Sequence, residues 1–170
     1  EVWFNDGTGS FTNSGQVLDV TSVDGVRTAV LGDFDGDGDL DLFQGTAAGE
    51  VSKVWFNDGS GVFSDSGQAI GSSALRTTNA VAVDVDDDGD LDLVTANYFG
   101  EAGQVFFNDG NGTFSDSGQA LSPAGGNLHG ITAADVDADG DVDIVYGVEL
   151  GADRVFINNG SGVFIDSGQS

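Results

Sequence analysis

Short apolar runs alternate with polar turns along this chain, on a fixed beat. Near its middle, Ala80-Val81-Ala82-Val83-Asp84 and Leu91-Asp92-Leu93-Val94 are runs of branched and apolar residues around a Gly/Asp turn. Gln104-Val105-Phe106-Phe107 follows, then Asn-Asp-Gly-Asn-Gly, then Thr113-Phe114-Ser115. Such runs bounded by Asn, Asp and Gly read as strands, and Asn/Asp-Gly between two of them is a strong hairpin signal. The pattern predicts four strands, a to d. Strands a and b flank the acidic turn, and c and d flank the Asn-Asp-Gly turn. No stretch carries a helical period, and 28 glycines argue against long helices.

The pattern is an internal repeat. Trp3-Phe4-Asn5-Asp6-Gly7-Thr8-Gly9-Ser10-Phe11 returns from Trp55, from Phe106 and from Phe156, at spacings of 52, 51 and 50. Each copy ends in Ser-Gly-Gln, at Gln16, Gln68, Gln119 and Gln169. A four-stranded repeat of this length fits a β-propeller blade. Blades pack face to face, which explains large apolar side chains on both sides of strand c: Val54 and Phe56 on one, Trp55 on the other. Trp3 and Trp55 are both expected to pack between blades.

The expected fold is all-β, with blades of four antiparallel strands. A leading c-d hairpin occupies 1–16, and three full blades occupy 26–68, 77–119 and 128–169. Closed propellers typically have 4–8 blades. A ring is therefore expected to close by association, either of copies (a dimer is favoured) or with neighbouring blades of a longer chain. Six and seven blades both remain open.

Charge changes the picture next. The chain has 170 residues, 29 acids, four Lys or Arg and one His, for a formal net charge of −25. Four cations are too few for nucleic-acid binding through phosphates, or for attraction to an anionic membrane surface. No apolar run approaches a membrane span. No cysteine is present, so disulfides, zinc-thiolate sites and cysteine nucleophiles are excluded. No signal peptide is read at the N-terminus; a mature or trimmed secreted protein would look the same, so this does not decide localisation.

The acids are concentrated: 16 of the 29 fall in windows 33–41, 84–92 and 135–143, which begin 51 residues apart. The windows supply Asp33, Asp35, Asp37, Asp39 and Asp41; Asp84, Asp86, Asp88, Asp90 and Asp92; and Asp135, Asp137, Asp139, Asp141 and Asp143. All fit D-x-D-x-D-G-x-x-D. Carboxylates at positions 1, 3 and 5 converge if the chain curls, and Gly at position 6 permits the turn. Position 7 offers a backbone carbonyl and position 9 a closing carboxylate. Oxygen-only ligands in a flexible loop select Ca²⁺, at three sites, over zinc, copper or the geometrically stricter Mg²⁺. An EF-hand is rejected, because position 12 is Gln44, Thr95 or Tyr146 rather than Glu, and the flanks are strand-like. One such window also reads as a solvated acidic turn, but three in register do not. Three bound ions, adding six positive charges, would bring −25 to −19.

Repeats of D-x-D-x-D-G-x-x-D followed by N-D-G-x-G-x-F resemble the FG-GAP/VCBS repeats of integrin alpha-chain propellers, some fungal lectins and many bacterial and marine surface proteins. The resemblance covers essentially the whole chain. It implies a calcium-binding β-propeller with the ion at the a–b turn. Asn159 departs from the motif, where Asp6, Asp58 and Asp109 stand in the other copies, and reads as a neutral turn variant.

Other candidates lie outside the windows. Arg27, Thr78 and His129 stand six residues before each, at the entry to strand a. They read either as ligand contacts at the channel mouth or as exposed loop residues. Tyr98 and Phe99 read either as a sugar-stacking platform or as packing under a loop. No acid stands apart from the cages to serve a glycosidase, and no Ser sits in a nucleophile elbow. The expectation is a non-catalytic, calcium-stabilised module, extracellular or at the cell surface, for adhesion or assembly through a protein or glycan ligand. The alternatives are a lectin with sites between blades and a hydrolase or its accessory domain.

Overall fold

The computed structural model describes residues 1–18, 25–47, 49–122 and 126–169. They form strands alone, and none of the described residues is helical. A hairpin of β1 (Trp3–Asn5) and β2 (Phe11–Asn13) comes first. The first full sheet contains β3 (Val26–Gly32), β4 (Asp41–Thr46), β5 (Lys53–Asn57) and β6 (Phe63–Asp65). The second contains β7 (Thr77–Val83), β8 (Asp92–Asn97), β9 (Gly103–Asn108) and β10 (Phe114–Leu121). The third contains β11 (Asn127–Ala134), β12 (Asp143–Glu149), β13 (Arg154–Asn158) and β14 (Phe164–Asp166). Each sheet is an antiparallel meander in chain order. The sheets form an open, propeller-like array.

Strand periodicity builds the core. In the middle blade Leu93 and Phe106 pack with Phe34, Phe43 and Val54 of the first blade. Their chain neighbours Val94 and Val105 pack the other way, with Leu128, Ile144 and Phe156 of the third blade. Successive side chains point to opposite faces, so a blade buried on both faces needs large apolar residues at consecutive positions. Trp55 is 8% exposed and its Nε1 donates to Gln44 Oε1 at 3.1 Å. Trp3 departs from the expected packing between blades and is 52% exposed. Among the described residues its hairpin is two-stranded, with no further strand beside it to cover that face.

Hydrogen bonds join the blades at fixed places. Gln16 donates from Nε2 to Gly61 O at 2.7 Å and accepts at Oε1 from Phe63 N at 2.9 Å. Gln68 does the same to Gly112 O and Phe114 N, and Gln119 to Gly162 O and Phe164 N. The glutamine ending one repeat thus clamps the Asn-Asp-Gly turn of the next. Under that turn Gly112 leaves room for the Phe56 ring of the preceding blade, which a Cβ would strike.

The inner strands β3, β7 and β11 lie side by side. Each carries a one-residue register slip against its partner, between Val26 and Thr28, between Thr77 and Asn79, and between Leu128 and Gly130. The extra residues are Arg27, Thr78 and His129. A bulge of this kind re-aims a side chain out of the ladder.

Candidate metal centres

Each acidic window forms the turn between the first two strands of its blade. The turn is built by the acids themselves. Asp33 accepts from Gly36 N at Oδ1 and Gly38 N at Oδ2, at 2.9 and 3.0 Å. Asp135 repeats this with Ala138 N and Gly140 N, and Asp84 Oδ2 accepts from Gly89 N. Position 6 is left-handed in every loop, with φ of 92°, 97° and 104° at Gly38, Gly89 and Gly140, as its glycine suggested. Position 4 is left-handed too, at Gly36, Asp87 and Ala138.

Three sets of carboxylates result, each offering oxygens within 4.8 Å of one another: Asp33, Asp35 and Asp37; Asp84, Asp86 and Asp92; Asp135, Asp137 and Asp143. Positions 1 and 3 are common to all. The third member is position 5 in the first loop and position 9 in the others. Asp88, Asp139 and Asp41 lie outside these sets. Asp39, Asp90 and Asp141, expected to offer backbone carbonyls, place their carboxylates against Gly59, Gly110 and Gly160 of the Asn-Asp-Gly turn.

Position 9 has a second role. Asp41, Asp92 and Asp143 are each 0% exposed. Asp92 accepts from Val85 N at 3.0 Å and from Asn108 N at 2.8 Å, tying the acidic turn to strand β9. Asp41 does this with Phe34 N and Asn57 N, and Asp143 with Val136 N and Asn158 N. Burial pushes the Asp92 carboxyl up to about 6 against the pull of its two N–H donors, and Asp86 and Asp88 add repulsion. Burial likewise raises Asp35, Asp86 and Asp137, with neighbouring acids reinforcing it.

Asp84 Oδ1 and Asp86 Oδ1 are buried without any hydrogen-bond partner. Two unpartnered carboxylate oxygens in one cluster cost free energy unless a cation neutralises them. The three groups could hold metal ions, and all their donors are hard oxygens, suited to a hard divalent ion.

Two kinds of residue contribute without having been singled out from sequence. Asn108 Nδ2 donates to Phe34 O at 2.8 Å, and Asn158 Nδ2 to Val85 O at 2.7 Å, so each holds the acidic turn of the preceding blade. Their recurrence in the Asn-Asp-Gly motif was the available signal. In that turn Asp58 Oδ1 accepts from Ser60 N and Val62 N, and Asn159 Oδ1 accepts from Ser161 N and Val163 N. Asn159 therefore keeps the turn without the charge. Arg76 lies in none of the repeated motifs. Its guanidinium lies 4.5 Å from the Phe99 ring centre, so Arg76 occupies one face of the expected stacking platform. Arg27, Thr78, Tyr98 and His129 share a cleft with Arg76, far along the inner strands from the acidic turns.

No curated protein matches the chain. The FG-GAP-like repeat family matches residues 1–43, 46–95 and 84–146. Those matches take in all three acidic turns and run through three of the four Asn-Asp-Gly turns, and the chain belongs to the FG-GAP-like repeat family.

Proposed function

We propose that this chain is a non-catalytic, calcium-stabilised propeller module acting in extracellular adhesion or assembly. The observation that carries the reading is the buried pair Asp84 Oδ1 and Asp86 Oδ1, unpartnered within a carboxylate cluster that recurs at the same turn of each full blade. Ca²⁺ suits a flexible cage of many oxygens. Because the cages form only in the folded chain, ion binding is folding energy. At free calcium tenfold above Kd each site adds about 1.4 kcal/mol. Loops of modest affinity suit an extracellular calcium level.

The non-catalytic reading is supported by where the most strongly raised acid sits. Burial pushes the Asp92 carboxyl up to about 6, yet both its oxygens hold backbone N–H groups and no part of it reaches solvent. It is a brace, unable to meet a substrate proton. Assembly is supported by apolar surface on the outer blades: Trp3 and Phe11 of the hairpin are 52% and 61% exposed, and Ile165 of the last blade 66%. A second copy or the adjoining blades of a longer chain would cover it.

Calcium titration tests the reading. Isothermal titration is expected to give three ions per chain, and EDTA to lower the melting temperature. An unchanged melting temperature overturns the calcium assignment, and a Kd below about 10⁻⁷ M overturns the extracellular placement. The lectin reading is favoured by one observation, the convergence of Tyr98, Thr78 and His129 on a single cleft. A glycan array without hits in saturating calcium counts against it.

A further inference from the structure

The cleft at the far end of the inner strands is unlike the rest of this surface. It measures about 170 Å³ and is lined by Arg27, Arg76, Thr78, Tyr98 and His129. The chain has only four Lys or Arg and one His against 29 acids. Lys53 and Arg154 pair with strand-d acids of their own blades, Asp65 at 2.6 Å and Asp166 at 3.9 Å. Arg27 and Arg76 form no ion pair among the described residues. Both of them and the single histidine meet in one place.

The backbone is shaped to bring them there. Arg27, Thr78 and His129 are the extra residues of the bulges in β3, β7 and β11, one from each blade. Without the slips, these side chains would follow the alternation of their strands. The walls are braced. Tyr98 and His129 meet edge to face at 5.0 Å between ring centres. Glu149 Oε2 accepts from Tyr98 Oη at 3.0 Å and Asn127 Nδ2 at 2.8 Å, and lies 3.4 Å from His129 Nε2. The Arg76 guanidinium carbon lies 4.5 Å from the Phe99 ring centre, a cation–π contact that uses none of its N–H donors as hydrogen bonds.

We propose that this cleft binds a small hydroxylated monocarboxylate, of the hexuronate class, with Arg27 and Arg76 taking the carboxylate. Guanidinium N–H groups match a carboxylate in charge and in planar geometry. The two Arg charges less the one Glu149 charge leave a single net positive charge, which one carboxylate balances and a phosphate dianion exceeds. Thr78 Oγ1 already donates to Leu128 O at 2.7 Å, so toward a ligand it serves as an acceptor for a hydroxyl. The inference concerns ligand charge and stands apart from the metal reading, since the acidic turns lie at the other end of the inner strands.

The test is a titration of the chain, in saturating calcium, with D-glucuronate, D-glucose and D-glucose 6-phosphate, followed by NMR or calorimetry. Glucuronate is expected to bind about tenfold or more tightly than either of the others. Arg27→Ala and Arg76→Ala are each expected to weaken it about tenfold, with Lys53→Ala unchanged. Arg27 is exposed, so its variant keeps the fold and carries the test even where Arg76→Ala melts early. Equal binding of glucose removes the carboxylate from the proposal, and tighter binding of the phosphate removes the single charge. Either result overturns it, as does an unaffected Arg27→Ala, or no glucuronate binding by about 10 mM. None of these outcomes touches the calcium stoichiometry, so the two readings fail separately.

Discussion

Asp92 sits without exposed surface between two backbone donors and beside two other acids, with its carboxyl raised from 3.8 to about 6. An acid raised on folding favours the folded state when protonated. That contribution is full below about 3.8 and is lost as pH rises through about 6. Asp6, Asp58 and Asp109, lowered by turn hydrogen bonds, titrate below that window and do not offset the trend. In EDTA the melting temperature is therefore expected to rise as pH falls from about 7 to about 5. In calcium the trend is expected to reverse, because protons compete with the ion for the same oxygens. Calorimetry across that range with and without calcium checks both signs. Asp86→Asn, altering a position common to all three sets, is expected to lower calcium stoichiometry by one. Ala138 holds a left-handed φ of 67° where the first loop has Gly36. Ala138→Gly relieves that strain and is expected to stabilise the chain by up to about 1 kcal/mol, read from urea unfolding.

At the scale of the element, the glutamine clamp decides how one blade fixes the next. Gln119 gives Gly162 O and Phe164 N their hydrogen bonds, and no other described side chain serves them. At about 1 kcal/mol per bond, Gln119→Ala is expected to cost about 2 kcal/mol by denaturant unfolding. Gln169 occupies the same place after the last blade, is exposed, and among the described residues has only its backbone N–H bonded, to Ser167 Oγ. Gln169→Ala is expected to leave the stability of the isolated chain unchanged. A loss on Gln169→Ala equal to that on Gln119→Ala would show that the last clamp is engaged in solution. The acidic turns of the first two full blades are held from a second direction by Asn108 and Asn158 of the following blade.

At the scale of the whole molecule, two forces oppose each other. Apolar faces of the blades favour stacking, while a net charge of −25 opposes compaction. In EDTA at low salt the chain is expected to expand, with a radius of gyration by small-angle scattering that falls on adding either calcium or salt. Under the proposed function calcium is expected to act at far lower concentration, because an ion held in the carboxylate sets would neutralise them where salt only screens. The exposed Trp3, Phe11 and Ile165 make association the companion expectation. Light scattering in calcium is expected to give the mass of a dimer, and a compact monomer would remove association of copies from the reading.

Much of this protein is local, and local features are legible in a sequence. Strands, turns and acidic cages are each written within a few residues, as alternation, as Asn-Asp-Gly and as D-x-D-x-D-G, and repetition at a constant spacing made them mutually consistent. The blade and its carboxylate-rich turn follow from that. What needed the tertiary structure was every relation between repeats. Nothing near Gln68 in sequence announces that its partner is Gly112, and nothing near Asp92 announces that burial pushes its carboxyl up to about 6. Arg27, Thr78 and His129 looked like three unlike residues at equivalent places. A one-residue bulge in each inner strand, together with the packing of those strands side by side, turns them into the walls of one cleft. Backbone propensity and turn chemistry act over a few residues, whereas burial, charge and shared cavities depend on segments some fifty residues apart, which only the packed fold brings within reach.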